Sequence, residues 1–418
     1  MMHAPWYPGW NVVGVMISLQ VGVIGTIIYA FAVMAVPISE ALGVSRTALM
    51  LAPIFGQVGV ALSSAGIGII LDRFSARQAT VIGLLAFLVG LVGMALATQL
   101  WQLLMIFGTL FVLAKQLTGP LAGQIIAAKW FVRRRGAALS LVTMGSSIGG
   151  FVVPLLIGFL MRSMTYNDVL LLLAALWAAL LLPAVLIGLQ GPPTEALLRE
   201  EAAGSMQPQS SALQAMVPVR ALLANRNFLV ATGAAMILVF VTMGVQYHMG
   251  GIAHDMEMDI TGGAQLLASY AVASFLAKFG WAAVVDKFDS RIVFILAALL
   301  IALGICALML ANFRTMLLGS ALIGLGTAAI MPLLAVMLAR EFGSGSIGKV
   351  LGIAFTGVQI SALAPVSVGL LRDIGGSYHL PLTVFAGLVG AGMLAILFYH
   401  SDAPPPARLP KGASAAVD

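Results

Sequence analysis

The sequence predicts an all-α membrane protein whose twelve transmembrane helices form two six-helix bundles, and three observations carry that prediction. Hydrophobic residues make up 61% of the 418-residue chain and charged residues only 9%, with a mean hydropathy of +1.06, whereas a soluble domain carries about 25% charged residues. The apolar residues gather into stretches of spanning length rather than the short alternating strands of a barrel. One long polar stretch divides the chain, and segments of the first half recur in the second.

The first six spans run over 10–36, 46–71, 78–98, 101–128, 136–161 and 167–190. The other six run over 228–252, 262–285, 291–311, 314–339, 346–371 and 379–400. At 1.5 Å per residue each is long enough for a hydrocarbon core of about 30 Å. The eight residues before Gly9 have no basic n-region, so the first helix is expected to be retained rather than cleaved. The domain reading is an N-terminal bundle at 1–190, a linker at 191–227, a C-terminal bundle at 228–400 and a disordered tail at 401–418. The linker is rich in Pro, Ser, Gln and Glu, the composition of a flexible connector.

Charge sets the expected orientation. Of 21 lysines and arginines, 15 fall in the segments on the side of the linker and 4 in the opposite loops. The positive-inside rule therefore places the linker and both termini in the cytoplasm, with the chain in the cell inner (plasma) membrane. This distribution also accounts for the net charge of +6 without nucleic acid as a partner. The two remaining cations, Lys115 and Lys278, lie inside spans. The single cysteine, Cys306, excludes a disulfide within the chain. No nucleophile–base set, metal-ligand cluster or phosphate loop points to an enzyme or to a cofactor.

The halves repeat each other. GIILDRFSAR (68–77) follows the second span and AAVVDKFDSR (282–291) the eighth, while PLLIGFLMR (154–162) ends the fifth and PVSVGLLRD (365–373) the eleventh. A repeat in both loop and span argues for two parallel bundles around a central cavity.

These residues resemble the major facilitator superfamily, whose loop signature is present as Gly68, Asp72, Arg73 and Arg77. Further pieces resemble its monocarboxylate and oxalate/formate branch: YPGWNVV, GVSRTAL, WFVRRRGAAL, HMGGIAHD and GLLRDIGGSY. The resemblance covers the chain apart from linker and tail. It implies alternating access by two rocking bundles, with a small organic anion bound between them. It also implies that a cation in the eighth helix, eight residues before the loop aspartate, binds the substrate carboxylate. Lys278 stands eight before Asp286, where arginine is usual, so a mobile point charge replaces a bidentate fork. By the same resemblance Asp72, Arg73 and Arg77 are gating residues, and the repeat extends that role to Asp286, Lys287 and Arg291.

Lys278 lies about 12 Å along the helix from Asp286, too deep to snorkel easily, and intramembrane ionisable groups default to function. A structural lysine paired with a carbonyl is the alternative. Lys115 is near the middle of the fourth span, where it either faces the cavity as a second anion site or packs against Gln116. His248 matches a histidine of related carriers and contacts substrate or a coupling proton, or else bonds to the opposite bundle. Tyr29, Ser274 and Gln359 complete the candidate substrate-binding set, with Gln20, Gln57, Gln124 and Gln246 as further polar wall residues.

No carboxylate falls mid-span. Mammalian monocarboxylate carriers place an acid four residues before the cation; here Ser274 stands there. A carboxylate relay is thus not expected, and coupling is by a proton or by a counter-anion. Two buried cations without an acid make a positive cavity that favours anions. The expected activity is secondary transport of a monocarboxylate or related organic anion by a monomer. The alternatives are a proton-coupled exporter of hydrophobic drugs and, further off, a non-transporting sensor.

Overall fold

A computed structural model of the chain describes residues 7–131, 135–189, 219–285, 288–310, 312–342 and 347–399. The side chains at 64–73, 128, 135–137, 140, 282–283, 285 and 347–349 lie outside that description. So do residues Asp286 and Lys287, most of the linker and the tail beyond Tyr399, and with them the readings placed on Asp72, Arg73, Asp286 and Lys287.

Twelve helices are long and apolar enough to cross a membrane, and there is no strand among the described residues. They are α1 Gly9–Leu42, α2 Arg46–Ser63, α3 Ala76–Leu96, α4 Leu100–Ala127, α5 Leu141–Leu160 and α6 Tyr166–Gly188. After the linker come α7 Arg226–Asp255, α8 Ile260–Trp281, α9 Ser290–Leu308, α10 Phe313–Phe342, α11 Val350–Gly375 and α12 His379–Ile396. The number of spans and their order match the hydropathy reading. The main difference is α1, which runs on past position 36 because Ile38 and Ser39 are buried. It stops at Gly43, whose left-handed φ of 63° ends the helix at little steric cost.

Packing explains which helices are enclosed. In α1, 83% of the apolar window is buried, so α1 is enclosed by its neighbours. The two halves meet along three seams: α1 with α7, α2 with α11, and α5 with α8. Within the first half, α1 lies against α5 so closely that a Cβ on Gly149 would sit 2.7 Å from the Val21 carbonyl oxygen and 3.0 Å from Gly25 Cα. Glycine is what permits that approach.

Several of the described helices depart from regular α geometry along their length. In α1 the stretch Gln20–Ala30 is π-helical, a form found frequently at functional sites. In α4 the helix is interrupted at Thr109 and again at Gly119, ahead of Pro120. In α11 a 3₁₀ segment at Gln359–Leu363 precedes Pro365. The α4 break before Pro120 and the α11 break have a common physical cause, since proline removes a donor and restricts the residue before it.

Candidate functional site

A cavity of about 260 Å³ lies between the bundles. The N-terminal half supplies Ile28, Gln57 and Lys115, and the C-terminal half supplies residues of α7, α8 and α10. Gln57 is eleven residues into α2 and Tyr270 ten into α8, which puts each about 15 to 17 Å along its helix, near mid-depth of a 30 Å core. Among the described residues the lining includes no carboxylate.

Lys115 is the cation of this cavity. Its Nζ donates to Gln57 Oε1 at 2.5 Å, the one hydrogen bond recorded for it among the described residues. An ammonium has three donors, so the remaining two are available to a ligand. The break at Gly119–Pro120 lies one turn beyond Lys115, whose own carbonyl accepts from Gly119 N at 3.0 Å. On the opposite wall the lining is amphipathic: Thr242, Gln246, Tyr247, Tyr270 and Thr327 beside Val239, Met243, Ile330 and Met331. Tyr29 is buried next to Ile28 of the lining.

Lys278 is placed elsewhere. It is half-buried on α8 and its Nζ donates to Ser147 Oγ of α5 at 2.7 Å, so it ties the two bundles together at the third seam rather than lining this cavity. Ser274, one turn earlier, abuts Gly324 of α10 through its backbone. Gln359 opens the 3₁₀ segment of α11 and is exposed. Arg77 is exposed in the first turn of α3, behind the Ser75–Gln78 capping box. Arg291 starts α9, where Asp289 caps its backbone N–H at 2.7 Å.

The end of the molecule away from the linker holds a cluster that joins three of the quoted motifs. Arg46, from GVSRTAL, pairs with Asp255 at 3.4 Å, and Arg372, from GLLRDIGGSY, pairs with the same carboxylate at 3.3 Å. Arg46 also donates to the Gly251 carbonyl at 3.4 Å and to the Tyr378 hydroxyl at 3.2 Å. Thr47 donates to Asp373 at 2.5 Å. Arg46 and Thr47 belong to the N-terminal bundle and their partners to the C-terminal one, so this face is fastened shut. The Asp255 side chain is only 11% exposed, which protects the pairs from screening. Burial pushes the Tyr378 hydroxyl up to about 12, keeping it a neutral donor at ordinary pH.

His248 belongs to the support of this gate. It is 1% exposed, with Nε2 2.7 Å from the Pro365 carbonyl and Nδ1 2.8 Å from the Tyr378 hydroxyl. The carbonyl can only accept, so Nε2 carries a proton; in the neutral ring Nδ1 then accepts from Tyr378. The result is a relay from Arg46 through Tyr378 and His248 to Pro365. Helix α7 connects gate and cavity: Tyr247 lines the cavity, Gly251 receives Arg46 and Asp255 holds both arginines. Positions four apart share one helix face, so a shift of α7 at the cavity is felt at the ion pairs.

The geometry thus brings together Lys115, Gln57, Gln246, Tyr247 and Tyr270, and leaves Lys278 and His248 in separate cross-bundle and gate contacts. Sequence reasoning missed the gate as a unit. Its signal was the three quoted motifs, each ending at the same predicted face.

The sequence model described as the Major Facilitator Superfamily matches residues 17–254 and again 227–417. The chain belongs to the major facilitator superfamily. Among curated relatives it is 23% identical over 343 residues to an MFS transporter, asaE, of Aspergillus flavus, covering 79% of this chain and 72% of that one. It is 24% identical to the fujikurins efflux protein of Gibberella fujikuroi, with 78% and 69% covered. Among solved structures, the nucleoside transporter NupG superposes with a TM-score of 0.72 at 14% identity over 94% of this chain and 98% of the other. A bacterial homologue of the human lysosomal transporter Spinster, inward-facing and unoccupied, gives 0.67 at 16% identity over 95% of each. By kind, the superfamily makes this a multi-pass membrane transporter rather than an enzyme.

Proposed function

We propose that this superfamily member is a secondary transporter of a monocarboxylate or related organic anion, working by alternating access in the cell membrane with the linker face cytoplasmic. The observation that carries the reading is the cation Lys115 in a central cavity whose lining, among the described residues, includes no carboxylate. A lysine at mid-membrane costs about 2.5 to 3.5 kcal/mol on insertion scales. A neutral amide offsets only part of that cost, and an entering carboxylate offsets more. The face away from the linker is closed by the Arg46–Asp255–Arg372 cluster, so in this conformation substrate exchanges from the linker face. Lys278 acts as a second cation of the seam, released from Ser147 as the bundles rock. Any coupling proton travels with the substrate or on a lysine; anion exchange needs none.

A second reading has specific support. Relatives at about a quarter identity include one named for efflux, and Met243 and Met331 give the cavity an adaptable apolar wall. That reading is an exporter of hydrophobic compounds. A thermal-shift panel of carboxylic acids, their neutral amides and cationic drugs separates the two. A ligand at 100 times its Kd stabilises by about 2.7 kcal/mol. Stabilisation by acids and not by amides supports the anion carrier; stabilisation by cationic drugs alone replaces it with the exporter.

A further inference from the structure

The lysine of the cavity is held by an amide, not by a carboxylate or by a backbone carbonyl. That choice has consequences for what the cavity can accept. Gln57 Oε1 sits 2.5 Å from Lys115 Nζ, and both residues line the cavity from the N-terminal bundle. A glutamate at position 57 would complete an ion pair inside the site and leave nothing for an anion to neutralise. A leucine would leave the ammonium without its partner. The amide satisfies one donor of Lys115, yet it is the weaker acceptor: charge-assisted bonds to an ionised carboxylate are roughly twice as strong as neutral ones. A substrate carboxylate can therefore displace Gln57 Oε1 from Lys115. Rotation of the terminal amide then exchanges its oxygen for its NH₂, which has two donors. The displaced group becomes a second hydrogen-bond donor to the incoming acid.

We propose that Gln57 is the charge-selectivity residue of the cavity: its amide oxygen keeps the place of a substrate carboxylate on Lys115, and after displacement its Nε2 donates to that carboxylate. This rests on the organic-anion reading above. It places the whole acid-reading pair in one bundle, on α2 and α4, while the amphipathic wall of α7, α8 and α10 receives the remainder of the molecule. A bound acid thus bridges the bundles, which is the condition for its arrival to favour their closure.

The test measures binding of benzoate and benzamide to the purified full-length protein and to Gln57→Glu and Gln57→Leu. The wild type is expected to bind benzoate at least tenfold more tightly than benzamide. Gln57→Glu, which is isosteric, should lose benzoate affinity by at least 30-fold while its thermal midpoint in the absence of ligand stays level or rises, because the internal ion pair has formed. Gln57→Leu should keep the preference for benzoate but weaken it about five- to tenfold, having lost the second donor. If Gln57→Glu binds benzoate within threefold of wild type, the assignment of Gln57 is overturned and the anion reading stands. Should Gln57→Glu fail to fold, unchanged benzoate affinity in Gln57→Leu overturns it equally. If the wild type binds benzamide as well as benzoate, the organic-anion reading itself falls and this inference with it.

Discussion

Replacing Asp255 by asparagine should open the face of the molecule that lies away from the linker. The change is isosteric and leaves an oxygen to accept from the guanidinium groups, so it removes charge and little else. Asp255 stands 3.4 Å from Arg46 and 3.3 Å from Arg372. At 3.4 Å and an effective dielectric of 20, the gross attraction is about 5 kcal/mol per pair. The net loss on removing one charge of a buried pair is about 2 to 5 kcal/mol. The lower end applies, because Arg372 is 26% exposed and Arg46 keeps the Gly251 carbonyl and the Tyr378 hydroxyl. About 2 kcal/mol converts to a roughly 30-fold rise in the population open at this face. The assay is labelling of Thr242→Cys, a cavity position, in a background with Cys306 replaced by serine. A membrane-impermeant maleimide is added from that face, and its reaction rate follows the open population. A change of less than threefold, or a slower reaction, would refute the gate.

Three further outcomes follow from the same geometry. Lys278→Gln should slow uptake severalfold by loosening the third seam, with little change in thermal midpoint, since the Ser147 bond it loses is a single half-buried contact; normal uptake would make Lys278 dispensable to transport. Tyr378 gives a pH dependence whose sign is fixed. Burial raises its folded-state value to about 12, above an ordinary value near 10. The stability it contributes is present below pH 10 and lost as pH rises through 12. Wild type should therefore lose more stability than Tyr378→Phe between pH 10 and 12. Burial raises Tyr399 as well, to about 12, but Tyr399 is common to both proteins, so the difference isolates Tyr378; identical alkaline profiles would contradict the burial of its hydroxyl. Finally, Gln57→Glu should weaken benzoate binding at least 30-fold without unfolding the protein.

The fold was legible because a bilayer imposes length and apolarity on every span, and both are visible residue by residue. The internal repeat, with AAVVDKFDSR echoing GIILDRFSAR, gave the two bundles. Departures from regular geometry were less legible. The π stretch at Gln20–Ala30 leaves the hydropathy of α1 unchanged, so a count of apolar residues passes over it. The break before Pro120 was written in the sequence as Gly-Pro, but a hydropathy window averages it away. Of the site, Lys115 could be found as a cation in an apolar run, while the direction it faces could not. Its partner Gln57 is 58 positions away on another helix, and one glutamine among many carries no sign of its neighbour. Lys278 stood out for the same reason as Lys115, yet depth along a helix does not distinguish a cavity wall from a seam between bundles. The gate joins residues 46, 255, 372 and 378, pieces whose proximity exists only once the two bundles meet.

Lys115 is the residue proposed to bind the acid group of the substrate. Uptake of radiolabelled benzoate and lactate into proteoliposomes, wild type against Lys115→Gln, tests it most directly. The wild type should take up at least one acid, competed by other monocarboxylates and not by their amides, and a Lys115→Gln protein that still folds should lose that uptake. Acid uptake by Lys115→Gln at the wild-type rate would contradict it.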